Sequence, residues 1–526
     1  MSSVTVERFL SAMVLLPLLA CSSGGTQADA GQASAPADAG SPSADASIAA
    51  SEGAFGLFAV FTEEFADFSR EMGFDGPEYR SWAGGQANVL GARWTRSNLQ
   101  LVWDFVEPEK GEGFDWSVSF GGDAIFAAAA AHQVQYLAVF HEGGGQRGLR
   151  DPLSDLTGWA RFAQAAVERY DGDGVDDAPG SIVIKHWQLG NEIPAWTDPG
   201  RSAEGYARWV EAAAEAIHAA DPSGKVVLIA STGAAKLDPF YPDAIAALKA
   251  RGVSFDAIDL HHWGRADVDS GTMKAVPALR AELDSAGFSN VEIWSCEHGT
   301  YVGTPLSAGA PCTPACPADK VCAGQMGCVA KCFSNATCPA AMPSCNLTTG
   351  LCGHPAQTQR DQARSVVYRY AVNRALGVRR ILWNNLVAWH CFSGTCGSYF
   401  DLLGLVADGW SAGDTAADRG KPRLAYHTYR MLAARTDEGV AKVGKSLQSA
   451  DPAVHAYEYE VLSTGRTALV AWADSQRQAT LPWTAATARL TALITDPAGQ
   501  PLREETLAVS GGGVSVALDQ DPVWLE

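Results

Sequence analysis

Two glutamates end apolar runs in this chain. One run is Trp187-Gln188-Leu189-Gly190-Asn191-Glu192 and the other is Ile293-Trp294-Ser295-Cys296-Glu297. A carboxylate at the end of a buried strand is costly unless it is used. A single one is an ordinary strand-end residue; two are hard to explain as structure alone. A pair of carboxyl groups is what the cleavage of a glycosidic bond requires. One protonates the leaving oxygen, and the other attacks the anomeric carbon or activates water. Glu192 and Glu297 are therefore the candidate catalytic residues.

These glutamates need elements that bring them together. From Ser51 onward the chain alternates short apolar runs with amphipathic stretches. Strands are expected at Phe55–Phe61, Gly91–Leu101, Val134–Phe140, Ile182–Asn191, Val226–Ser231, Phe255–His261, Val291–Glu297 and Arg380–Val387. Helices are expected between them, for example at Leu156–Tyr170, Ala203–Ala220 and Gln357–Leu376. Eight β/α units point to an α/β fold, a (β/α)8 TIM barrel over residues 51–436. A doubly wound sheet is the rival, disfavoured because no glycine-rich loop follows strand one. In a barrel the active site lies at the C-terminal strand ends, so strands four and seven would present Glu192 and Glu297 on one face. From residue 437 to 526 the pattern changes to short alternating strands, such as Val454–Leu462 and Thr467–Ala473, and reads as a C-terminal β-sandwich.

Cysteine usage divides the chain further. Of 12 cysteines, eight lie between Cys312 and Cys352, in an insertion over 308–356 after strand seven. Their spacing suggests two tandem disulfide-linked units. A zinc cluster is the rival, but the C-x2-C spacing is absent and only His354 is nearby. Cys391 and Cys396 are expected to form a disulfide that pins the loop after strand eight. Cys296 is expected to face the helix layer, by alternation with Glu297.

The apolar run Phe9–Leu19 leads into Ala20-Cys21 and resembles a bacterial lipoprotein signal over residues 1–21, with Cys21 as the lipidated residue. A plain secretory signal is the alternative. Residues 22–50, almost entirely Ala, Ser, Gly, Pro, Asp and Gln, read as a disordered tether. The expected location is the cell envelope, by lipid anchor only, or outside the cell, where disulfides form. A formal net charge of -20 argues against a nucleic-acid partner. Nothing in the sequence bears on oligomeric state.

Taken together, these motifs resemble clan A retaining glycoside hydrolases. Asn191-Glu192 resembles the Asn-Glu signature of the clan's acid/base, and Glu297-His298-Gly299 its Glu-x-Gly nucleophile signature. Trp103, Glu107-Pro108, Gly111 and Asp115-Trp116 resemble a stretch found after strand two in several clan families. The C-terminal sandwich is similar to that of family 39-type enzymes. The resemblance spans about residues 54–435. It implies Glu192 as acid/base and Glu297 as nucleophile, and Asn191 as a ligand of the sugar 2-hydroxyl. Arg96 is implied to hold the nucleophile anionic, with Arg93 competing for that role. His141, at the end of strand three, is a candidate for a sugar hydroxyl, and Trp383, with Trp389, for the substrate platform at strand eight. Clan members often carry a tyrosine on strand six; this chain offers His262 or Trp263 instead. A metal site built from adjacent His261 and His262 is disfavoured, because neighbouring strand residues point apart.

The implied substrate is a carbohydrate, with no cofactor for catalysis. The alternative is a non-catalytic carbohydrate- or protein-binding lipoprotein on a barrel scaffold. One further motif, Asp171-Gly172-Asp173-Gly174-Val175-Asp176-Asp177, suits a structural calcium through Asp171, Asp173 and Asp177. An acidic surface turn is the other reading of that loop.

Overall fold

Eight short parallel strands carry the N-terminal part of the protein. They are β1 (Phe55–Phe58), β2 (Trp94–Arg96), β3 (Gln135–Phe140), β4 (His186–Leu189), β5 (Lys225–Leu228), β6 (Ala257–Asp259), β7 (Glu292–Gly299) and β8 (Val378–Trp383). In this computed structural model residues 53–526 are described, apart from 63–65, 98–99, 119–121, 142–149, 181, 193–201, 230–236, 264–269, 306–319, 323–327, 333–334, 339–343, 347–350, 354, 390–398, 412 and 448. Cys21, Cys391, Cys396 and the tether therefore lie outside the described residues. The strands pair in chain order, and β8 pairs with both β1 and β7, so the sheet closes into a barrel. Helices run between the strands. Their ends are set locally: Asp75 and Glu78 form a capping box on the helix Gly76–Leu90, and Gly91 closes it at φ 75°.

Alternation along the strands divides inside from outside. Trp94, Leu137, Val227, Ala257, Trp294, Cys296 and Leu382 form one buried cluster. They come from six different strands, so they can meet only inside the barrel. Gly56 on β1 makes room for this layer, because a Cβ there would lie 2.6 Å from the Leu382 side chain. Below it, Arg380 lies over the rings of Trp94 (5.0 Å) and Trp294 (5.9 Å), and His186 packs against both. Burial, with Arg380 adding to it, pushes His186 down to about 4. The floor is tied to the following domain by Glu438, which pairs with Arg374 (3.0 Å), Arg379 (2.6 Å) and Arg380 (3.0 Å).

The structure corrects the expectation for Cys296. It faces the barrel interior, not the helix layer. The cause is a register irregularity: β8 pairs Ile381 with Ser295 but Trp383 with His298. The extra residue on β7 lets both Cys296 and Glu297 serve the interior, which strict alternation forbids. Cys296 is free and buried. Burial and the neighbouring Asp259 hold its thiol well above the usual range, so it remains a neutral packing group.

The C-terminal part is antiparallel: β9 (Ala441–Leu447), β10 (Val454–Val461), β11 (Arg466–Ala473), β12 (Arg477–Pro482), β13 (Thr487–Ala492), β14 (Glu504–Ser510), β15 (Gly513–Leu518) and β16 (Val523–Leu525). Their order is β9-β10-β11-β16-β13-β14-β15-β12. Period two gives the domain two faces. Leu469, Ala471 and Ala473 join Leu481, Val514 and Val516 in its own core. Val470 and Trp472 instead join the barrel's cluster, where Trp472 stacks on Tyr368 at 4.6 Å.

Where the insertion after β7 is described, it contains two small hairpins. Lys320–Cys322 pairs with Cys328–Ala330, and Ser344–Asn346 with Leu351–Gly353. Cys332 and Cys338 each take part in a disulfide. No helix among the described residues is long and apolar enough to cross a membrane.

Candidate active site

The C-terminal ends of β2, β4, β6 and β7 converge on one polar cluster. Arg96, fully buried at the end of β2, donates to three side-chain oxygens and has its Nη1 3.4 Å from His261 Nε2. Its Nε donates to Gln188 Oε1 (2.8 Å), Nη1 to Glu297 Oε1 (2.6 Å) and Nη2 to Asn191 Oδ1 (2.7 Å). One planar guanidinium thus fixes residues from two other strands, a task suited to its rigid fork. Arg93 instead lies against Gly53.

After Leu189 the chain leaves β4 through Gly190 at φ 87° and Glu192 at φ 49°. A left-handed backbone is costly for glutamate. Here it turns Glu192 inward beside Asn191. On β7, Gly299 lets β8 approach: a Cβ there would sit 2.9 Å from the Asn384 carbonyl oxygen. That contact is a physical reason for glycine two residues after Glu297.

Carboxylate oxygens of Glu192 and Glu297 and a ring nitrogen of His261 lie within 4.8 Å of one another. His261 Nδ1 is 2.6 Å from Glu192 Oε1 and 3.6 Å from Glu297 Oε2. Its Nε2 is 3.2 Å from Asp259 Oδ2. Asp259 also accepts from Gln188 Nε2 (2.8 Å) and from the Cys296 backbone N–H (2.8 Å). Burial disfavours the charged ring of His261, but Glu297 and Asp259 outweigh it and raise His261 to about 10. Burial likewise disfavours the charge of Asp259, yet His261 and Arg96 hold its carboxyl well below the usual range. For Glu297, burial raises the carboxyl, Glu192 adds to the rise, and His261 and Arg96 pull against it. The cluster therefore contains two buried cations among three carboxyl groups.

The histidine in this cluster is His261, not the expected His262. His262 pairs beside β7 and rests on His298, with ring centroids 5.7 Å apart. Side chains at 257, 259 and 261 share the interior face, which leaves 262 on the other. Trp383 faces away from the site: its neighbour Leu382 lies in the interior cluster, while Trp383 packs in the cluster outside it and donates its indole N–H to Leu403 O (3.3 Å). Trp389 packs 6.2 Å from the Phe58 ring that underlies Arg96 at 5.5 Å. His141 follows β3 at the same rim and is half-buried. Sequence reasoning missed Gln188 and Asp259. Their signal was present: a polar residue inside an otherwise apolar strand must have a buried partner.

Glu107 serves the fold. It accepts from Trp103 Nε1 (2.7 Å) and the Gly111 N–H (2.7 Å) and pairs with Arg161 and Arg150. Burial would raise its carboxyl, but these bonds, led by Arg161, hold it below the ordinary value. The segment Trp103–Trp116 is thereby pinned after β2. Carboxylate oxygens of Asp171, Asp173 and Asp177 also lie within 4.8 Å of one another. Each already accepts a loop N–H, from Asp173, Val175 and Gly172 respectively.

Comparison of folds places the chain beside glycoside hydrolases. It is similar to a family 39 glycoside hydrolase from the gut symbiont Bacteroides cellulosilyticus WH2, at 14% identity and a TM-score of 0.57, over 90% of this chain and 80% of that one. It is similar to a monomeric beta-xylosidase from Caulobacter crescentus CB15, at 14% identity and a TM-score of 0.54, over 90% and 95%. A family 51 alpha-L-arabinofuranosidase from Bifidobacterium longum is similar at 14% identity and a TM-score of 0.51, over 89% and 94%. No protein-family profile matches the chain, and no curated protein matches its sequence. At such low identity the likeness is one of fold: a barrel followed by a β domain.

Proposed function

We propose that the protein is a retaining glycoside hydrolase that cleaves β-linked glycosides, with Glu297 as nucleophile and Glu192 as general acid/base. The observation that carries this reading is the spacing of the pair, with carboxylate oxygens within 4.8 Å of each other. Retaining enzymes hold their carboxyl groups ~5–5.5 Å apart, whereas inverting enzymes need ~6.5–9.5 Å to admit a water. The fold shared with family 39 and family 51 hydrolases is in keeping with it.

Arg96, 2.6 Å away, orients Glu297 as its carboxylate attacks the anomeric carbon. The carboxyl group of Glu192 donates its proton to the leaving oxygen, and the glycosidic C–O bond breaks as an ester bond forms. In the second step Glu192 takes a proton from water. The water oxygen bonds to the anomeric carbon, and Glu297 leaves as a carboxylate. Asn191, its Oδ1 fixed by Arg96, turns its amide N–H2 away from the arginine to donate to the sugar 2-hydroxyl.

A panel of nitrophenyl β-glycosides tests the reading. Hydrolysis of at least one member with retention at the anomeric carbon is expected. Cleavage of none, with capture of the protein on an insoluble polysaccharide, would favour the non-catalytic binding reading instead.

The same proposal includes a structural calcium at Asp171, Asp173 and Asp177. The donor set fits a hard cation, and burial together with Asp173 and Asp177 raises the Asp171 carboxyl, a repulsion that an ion would relieve. Millimolar calcium should raise the melting temperature by several degrees over a chelator control, and Asp173→Ala should abolish that rise. Equal melting curves with calcium and chelator would remove the ion from the proposal.

A further inference from the structure

At the rim of β8 an amide side chain is buried without any hydrogen-bond partner. Both polar atoms of Asn384 lack one, and the residue is 1% exposed. Leaving a buried polar group unsatisfied is costly, so such groups in folded proteins have a reason to be there.

The ladder of β8 ends at Trp383, and carrying its alternation one residue further gives the direction of this amide. Leu382 belongs to the interior cluster, and Asn384 is two residues further along, so alternation returns it to the interior. Gly56 pairs with both Leu382 and Trp94, and Phe58 pairs with Arg96. Two residues up from these pairs, Asn384 is level with Phe58 and hence with Arg96. On its other side the Asn384 N–H donates to His298 O (2.9 Å), one residue past Glu297. The amide is therefore wedged between the strand of the arginine and the strand of the nucleophile. Around it the polar groups are engaged: Arg96 with three partners, and Gln188, Asp259 and His261 with one another. Gln100 and Asn385 also carry orphaned amides; Gln100 lies four residues past β2, and the alternation that sends Asn384 inward sends its neighbour Asn385 the other way.

We propose that Asn384 is a specificity-determining residue that receives a hydroxyl of the sugar ring bound at the point of cleavage. Because Asn191 is assigned the 2-hydroxyl, Asn384 takes the 3- or 4-hydroxyl. An amide offers an N–H2 donor and a carbonyl acceptor, and a sugar hydroxyl satisfies either. This inference rests on the hydrolase reading and deepens it.

The experiment compares wild type, Asn384→Leu and Asn384→Ala on the best nitrophenyl glycoside and on its 3-deoxy and 4-deoxy counterparts, with melting temperatures alongside. Wild type should lose about 10-fold in kcat/KM when one particular hydroxyl is removed. Asn384→Leu should lose a similar factor on the parent glycoside and nothing further on that deoxy glycoside, as a double-mutant cycle requires. Its melting temperature should match or exceed wild type, because an apolar group of similar size replaces an orphaned amide. Two results overturn the assignment: kcat/KM within twofold of wild type, or lower melting temperatures with hydroxyl discrimination intact, which marks an amide held by structural water. A wild type that cleaves no glycoside fails in the first column of the experiment. It ends the hydrolase reading, and this inference with it.

Discussion

Glu297→Ala should lower kcat/KM on the order of 10^4-fold or more on every glycoside the wild type cleaves, because no other group can form the covalent intermediate. The variant also leaves Arg96 and His261 facing a small anionic vacancy. Arg96 keeps its charge by its chemistry, and Asp259 still faces His261 at 3.2 Å. A small anion such as azide should enter that space, attack the anomeric carbon from the vacated side and yield a glycosyl azide. Glu192→Ala should behave differently. Its loss should be small on glycosides with an activated nitrophenol leaving group, which departs without a proton, and on the order of 10^3-fold on unactivated ones. Equal losses on both leaving groups, or an active Glu297→Ala, would exchange or cancel the assigned roles.

His261→Gln should produce the second-largest effect, on activity and on stability together. Among the described residues, the imidazolium is the one group within 3.6 Å of Glu192, Glu297 and Asp259 at once. Removing it leaves Asp259 fully buried with only neutral donors directly bonded to it, and breaking a buried pair in this way costs roughly 3–5 kcal/mol. The pH dependence follows from the direction of the shift. Folding raises His261 from 6.5 to about 10. The stability this supplies is fully present below pH 6.5 and is lost as pH climbs toward 10. Wild-type melting temperature should therefore fall across that interval, and the variant should lack this component. Two parallel curves would mean that the histidine is neutral in the folded protein. Activity should drop on the order of 10^2-fold, since both carboxyl groups lose the cation that positions them.

The barrel and the candidate pair are legible in the residues alone. Gln188 between Trp187 and Leu189, and Asp259 in the run before His261, carry a quieter signal of the same kind. Each is a polar residue at an interior position of an apolar strand, but neither ends its run as the two glutamates do. The expected strands are longer than the observed ones, for example Gly91–Leu101 against Trp94–Arg96. Apolar residues beyond the ladder pack just as deeply as those within it, so hydrophobicity alone does not mark where pairing stops. In the C-terminal domain, β9 and β14 escape a hydrophobic pattern because their outer faces are polar and partly exposed.

What the sequence determined by itself was periodicity: eight apolar segments separated by amphipathic helices, and two of those segments ending in glutamate. Only the tertiary structure decided which neighbours share an interior. Strict alternation makes Cys296 and Glu297 point apart, but the shifted pairing of β7 against β8 sends both inward. Alternation alone also leaves His261 and His262 equivalent until the barrel's closure gives one of them the axis. Register is a property of two strands at once, and partners far apart in sequence, such as Arg96 and Glu297, leave no mark on the local pattern of either.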